Sequence, residues 1–63
     1  MIIKAVIEDI TTEGIVILLG EEEKEITIHK DKLWHISDYK VGDWLDVIFE
    51  KGKITSVQLN RKN

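Results

Sequence analysis

Five short apolar segments, separated by turns of glycine and charged residues, constrain this chain more than any other feature. Each segment is rich in β-branched and aliphatic residues and is too short to make a stable helix by itself. The segments are residues 2–10, 15–19, 25–29, 44–50 and 53–59. Runs of this length bounded by turn residues are typical of β-strands, so the sequence predicts an all-β fold of five strands.

The first two segments indicate where the sheet should be most buried. In residues 2–10 apolar side chains occupy both faces, which is typical of a strand that bends and is shared by both halves of a small barrel. Residues 15–19 are apolar without interruption. A continuous apolar run is typical of a strand that is covered on both sides. We therefore expect residues 15–19 to form the central and most buried strand.

The last two segments should form a hairpin with one irregularity. Lys51-Gly52 suits a tight turn with glycine at the second central position. Alternation in the final segment fails between Ile54 and Val57, so a β-bulge is expected at residues 55–56. In the fourth segment the alternation is regular, and it places three apolar side chains on the inner face: Leu45, Val47 and Phe49.

The irregular stretch between the third and fourth segments indicates the type of barrel. Residues 31–34 are expected to form one helical turn, and Val41-Gly42-Asp43 a turn into the fourth strand. Five strands with a short helical turn after the third match a small OB-like barrel. An SH3-like barrel, with the short helix elsewhere, is the alternative. One domain is expected over residues 1–60, with fraying from Asn60 onward and a polar tail at residues 61–63.

The length and the lack of cysteine limit how this domain can be stabilised and where it works. A chain of 63 residues has room for one small core, so its stability should be low. Without cysteine there is no disulfide and no thiolate metal site, which fits a reducing compartment. Residues 1–10 carry Lys4, Glu8 and Asp9 and have neither an apolar run of signal-peptide length nor a small-residue cleavage pattern. No apolar run reaches membrane-spanning length. We expect a cytoplasmic protein.

Two runs carry a resemblance to a known family. They are Ile28-His29-Lys30-Asp31-Lys32-Leu33 and Lys40-Val41-Gly42-Asp43-Trp44-Leu45-Asp46-Val47. Together with the opening strand and the acidic turn after Leu19-Gly20, they resemble the bacterial domain of unknown function 3006 family over nearly the whole chain. The resemblance implies a small β-domain without assigned catalytic residues, acting as an accessory module beside a larger protein. The linker here, with Trp34, His35 and Tyr39, is more aromatic than that family's pattern.

The most suggestive candidate binding surface is the aromatic and basic stretch that includes this linker. Aromatic rings stack on bases or anchor protein partners, and lysines neutralise phosphates. The predicted binding residues are Lys30, Lys32, Trp34, His35, Tyr39, Lys40 and Trp44. A simpler interpretation is that Trp34 and Tyr39 close the end of a barrel that is too small for aliphatic residues alone.

The charge balance favours a protein over a nucleic acid as the partner. A net charge of -3 opposes binding to a phosphate backbone, because that binding depends on lysine and arginine displacing counterions. Asp31, Asp38 and Asp43 also offset the lysines of the stretch. The sequence predicts a non-catalytic interaction or accessory module that binds a protein partner, as a monomer or weak homodimer. Binding of single-stranded nucleic acid through the same residues is the alternative.

Motifs that would predict catalysis are weak in this sequence. His29, Asp31 and His35 are of metal-ligand type, but they lack the spacing of a zinc site. His35, Ser37 and Asp38 are of catalytic-triad type, but they are too close along the chain for triad geometry to be assumed. We therefore expect no enzyme activity, no metal and no cofactor.

Overall fold

The computed structural model describes residues 1–60, which form five antiparallel strands and two 3₁₀ turns. The strands are β1 (Ile2–Ile10), β2 (Ile15–Gly20), β3 (Glu25–His29), β4 (Trp44–Glu50) and β5 (Lys53–Leu59). The 3₁₀ turns are Glu21–Glu23 and Lys30–Leu33. The all-β prediction is confirmed, and the expected helical turn after the third strand is a 3₁₀ turn. The predicted tail at residues 61–63 lies outside the described residues.

The sheet has the order β3-β2-β1-β4-β5 and curls into a half-barrel. Because β1 pairs with both β2 and β4, the strands follow the OB-like order and not the SH3-like alternative. The prediction that residues 15–19 form the central strand is wrong, since β1 is central and β2 lies beside the edge strand β3. Only Val16 and Leu18 of this run are fully buried. The side chains of Ile15, Ile17 and Leu19 point to the outer face, where they are half-buried.

Two bulges interrupt the strand pairing, one in the central strand β1 and one in the edge strand β5. The β1–β2 register shifts between Ile7 and Asp9, which leaves Glu8 as an extra residue of β1, an irregularity of the kind that bends a strand. The β4–β5 register shifts so that Ile48 faces Ser56 and Phe49 faces Ile54. Thr55 is therefore the bulged residue, within the predicted pair 55–56. Its hydroxyl donates a hydrogen bond to the Ile48 carbonyl at 3.2 Å.

The core lies on the concave side of the curled sheet. Every strand contributes to it, and one residue comes from the second 3₁₀ turn. The buried apolar residues are Ala5, Ile7, Val16, Leu18, Ile28, Leu33, Leu45, Val47 and Val57. The predicted inner face of β4 is confirmed for Leu45 and Val47, while Phe49 is half-buried against the same cluster. No helix within residues 1–60 has the length and hydropathy needed to cross a membrane.

The end of β4 and the start of β5 are joined by the tight turn that the sequence predicts. Lys51 has φ +53° and Gly52 has φ +78°, as in a two-residue hairpin turn with both central residues left-handed. Glycine adopts that region without steric cost. At the other end of β5, Asn60 was expected to fray, but hydrogen bonds hold it in place. Its N–H donates to the Trp44 carbonyl at 2.8 Å, and its side-chain amide donates to Asp46.

Candidate functional site

The linker between Leu33 and β4 is held in place by side chains that point inward at intervals of three residues. Leu33 is buried, and Ile36 and Tyr39 pack against the core. The Ile36 N–H donates to the Leu33 carbonyl at 2.9 Å, which continues the three-residue repeat of the 3₁₀ turn. The spacing of these three apolar residues is a sequence signal that the prediction did not use.

Trp34 is the clearest departure from the simpler interpretation of the linker. Its side chain is 84% exposed, while the preceding Leu33 is only 1% exposed. The prediction that Trp34 and Tyr39 close the barrel end is therefore right for Tyr39, which is half-buried, and wrong for Trp34. Successive residues of a 3₁₀ turn point in directions about 120° apart, so only one of Leu33 and Trp34 can face the core. The smaller leucine fills that space.

His35 fastens the linker to the free edge of β5. Its Nε2 is hydrogen-bonded to the Val57 carbonyl, and a carbonyl only accepts, so Nε2 carries the proton. The ring also contacts Trp34 edge-on, with centroids 5.5 Å apart and an interplanar angle of 70°. This aromatic pair orients the exposed indole beside β5.

Trp44 lies on the other side of β5, at the start of β4. It is 49% exposed and points to the outer face, since its neighbour Leu45 points inward. Across the sheet it is in register with Val6 of β1, which is in register with Leu19 of β2. Trp44 therefore ends an apolar row on the outer face, where antiparallel sheets usually carry polar residues. The prediction missed this row, although the uninterrupted apolar run of β2 was its signal.

Trp34, His35 and Trp44 together make what we name the linker surface. Trp34 and His35 lie on the free-edge side of β5, and Trp44 lies on its paired side. His35 also lines an open groove of about 310 Å³. Residues 35–38 of the linker line one wall, and Gln58 and Leu59 line the other. The structure thus brings three of the seven predicted binding residues to one end of β5.

The three predicted lysines are placed against different elements. The Lys30 stem crosses Gly14 in the β1–β2 hairpin, where an added Cβ would lie 3.1 Å from the Lys30 Cδ. Lys40 contacts Asp43 twice. Its side-chain ammonium lies 3.5 Å from one carboxylate oxygen, and its backbone N–H donates a hydrogen bond to the other. Lys32 is exposed on the second 3₁₀ turn. The Lys40 ammonium is thus partly neutralised by Asp43.

The two histidines of the metal-ligand and triad sets are engaged in local structure. The His29 Nδ1 accepts a hydrogen bond from the Asp31 N–H at 3.2 Å and caps the 3₁₀ turn. When the ring is protonated, Nδ1 can instead donate to the Asp31 carboxylate, also 3.2 Å away. His35 is bonded to the β5 backbone, as described above. Within residues 1–60 no three histidine or carboxylate side chains converge as metal ligands would.

Comparison with known proteins identifies no relative of this chain. No protein-family model matches it, no curated protein is similar to it, and no solved structure matches it. The resemblance to the domain of unknown function 3006 family therefore stays a prediction.

Proposed function

We propose that this protein is a non-catalytic interaction domain that binds a protein partner through the linker surface. The observation that carries the proposal is the exposure of Trp34 beside a buried Leu33. The core is closed without the indole, so folding does not explain why a tryptophan stands at this position. Buried tryptophan is the most effective anchor at protein interfaces, because it removes a large apolar area from water.

The surroundings of Trp34 indicate what the partner should offer. The indole has an apolar face and one N–H donor, so it is recognised by an apolar pocket with a hydrogen-bond acceptor at its rim. Trp44 and the outer-face row through Val6 extend the apolar area on the other side of β5. Large apolar side chains exposed at one end of the sheet favour a protein as the partner.

Charge also supports a protein over single-stranded nucleic acid. A strand binder needs cations that follow the phosphates past the stacked bases. Here the Lys40 ammonium is paired with Asp43, and the Lys30 stem lies against the β1–β2 hairpin. The whole chain carries a net charge of -3.

The proposal is tested by affinity capture from an extract of the source cells, using the wild type and matched variants. Trp34→Ala and Trp44→Ala each remove one anchor. Ile2→Ala is the control, because Ile2 is an apolar side chain 63% exposed at the far end of β1. We expect one protein to be retained in stoichiometric amount by the wild type and by Ile2→Ala, and to be lost from Trp34→Ala. The interaction is then measured with both proteins purified.

Two results would count against this function. The first is equal retention by the wild type and both tryptophan variants, which would place binding elsewhere. The second is quenching of tryptophan fluorescence by a single-stranded oligonucleotide at low salt, reversed at high salt, which would favour the nucleic-acid alternative.

A further inference from the structure

The two edges of the half-barrel differ in how they are covered. At the β5 edge, Asn60 N–H pairs with the Trp44 carbonyl, so the alternate residues Val57 and Leu59 turn their backbone groups outward. The Val57 carbonyl is taken by His35, and Leu59 borders the groove beside the linker. The linker therefore covers part of the β5 edge, at the Val57 carbonyl.

The β3 edge has no such cover. Gly20 N–H donates to the Lys24 carbonyl, and Lys30 N–H donates to the Gly14 carbonyl, each at 2.8 Å. Hydrogen-bonded pairs alternate along an antiparallel ladder, so the residues of β3 that turn their backbone groups away from β2 are Glu25, Thr27 and His29. Within residues 1–60 no hydrogen bond reaches these outward backbone groups. Their side chains are exposed as well.

We propose that the free edge of β3 pairs antiparallel with β3 of a second copy of this chain, centred on Thr27. In this register Thr27 faces Thr27 of the partner, and Glu25 faces His29 in both directions. Each facing pair carries outward N–H and C=O groups, so each exchanges two backbone hydrogen bonds. The result is a symmetric dimer in which the two sheets join edge to edge into one continuous sheet.

The charges at the two ends of β3 favour this partner and this register. The strand is preceded by the acidic turn Glu21–Glu23 and followed by the turn Lys30–Leu33, in which two lysines outweigh Asp31 by one charge. Antiparallel pairing places the acidic end of one copy beside the basic end of the other. A shift of the register by two residues on each strand would bring Glu25 against Glu25 or His29 against His29. The proposed register replaces those like pairs with Glu25 opposite His29.

The contact is small, because it joins two five-residue edges, and we expect it to form between micromolar and millimolar protein. This edge and the linker surface share no residue, since the pairing uses the backbone of Glu25, Thr27 and His29, and the linker surface consists of Trp34, His35 and Trp44. Partner capture and self-association are therefore measured independently.

The test is sedimentation equilibrium of the wild type, Thr27→Pro and Thr27→Val across that concentration range. Proline removes only the outward N–H of Thr27 and is tolerated on an edge strand, so the ladder to β2 is kept. Valine keeps the N–H and the strand propensity. We expect the wild type and Thr27→Val to approach twice the 7.3 kDa chain mass with the same midpoint. Thr27→Pro should raise the dissociation constant at least about tenfold, because both copies lose a central hydrogen bond.

If Thr27→Pro fails to fold, the backbone amide signals of the wild type in nuclear magnetic resonance test the β3–β3 pairing instead. In the wild type, the amides of Glu25, Thr27 and His29 should shift with concentration, while that of Leu59 stays constant. A chain that remains monomeric to millimolar concentration overturns the proposal. So does a dimer that Thr27→Pro forms as readily as the wild type, or concentration-dependent shifts confined to β5. Trp34→Ala should leave the dimer unchanged.

Discussion

Replacement of Leu33 by alanine should destabilise the domain far more than replacement of the adjacent Trp34. Leu33 is 1% exposed, and it is the core residue that the linker end of the half-barrel contributes. Leucine-to-alanine changes at buried positions cost about 2 to 5 kcal/mol, depending on how far the surroundings collapse into the cavity. Leu33 lies in a short 3₁₀ turn that can move inward, so we expect a loss of about 2 to 3 kcal/mol.

The total stability of a domain of this size is about 3 to 5 kcal/mol, so Leu33→Ala should remain only marginally folded. Trp34→Ala removes an exposed side chain and should change the free energy of unfolding by less than about 0.5 kcal/mol. Urea denaturation followed by far-ultraviolet circular dichroism measures both, and it avoids fluorescence, which the tryptophan change would alter. The reasoning is refuted if Trp34→Ala loses as much stability as Leu33→Ala, or if Leu33→Ala loses less than about 1 kcal/mol.

Three further substitutions test the fold. Val47→Asp places a carboxylate on the fully buried inner face of β4 and should abolish the cooperative melt; a wild-type midpoint would show that this face is misassigned. Glu22→Gly should raise the free energy of unfolding by about 0.5 kcal/mol in urea titrations, because Glu22 has φ +64° and glycine relieves that strain despite its greater chain entropy. His35→Ala should cost about 1 kcal/mol and speed amide exchange of the linker, because the bond to the Val57 carbonyl is lost; unchanged exchange would contradict that anchoring role.

Local features of this fold could be predicted from the sequence because each depends on residues close together in the chain. The Lys51-Gly52 turn needs positive φ at both positions, and glycine at the second supplies half of that locally. The bulge at Thr55 follows from side-chain alternation, since a failed period of two requires one extra residue to return the apolar side chains to one face. The inner face of β4 follows from the same period.

The position of β2 in the sheet could not be predicted from residues close together in the chain. An uninterrupted apolar run indicates that both faces of a strand contact apolar surroundings, but it does not say which strands lie on either side. The pairing of β1 with β4 joins residues that are far apart in the sequence, and because β1 also pairs with β2, β1 is the central strand. The outer side chains of β2 became part of a half-buried apolar surface.

The candidate site shows the same division. The sequence alone determined that the linker is rich in aromatic side chains and that it begins with a helical turn. Only the tertiary structure decided that Leu33 fills the core, that Tyr39 packs against it, and that Trp34 faces water. The reason is that Leu33 and Trp34 compete for one inward direction, and the outcome depends on the volume that the five strands leave between them.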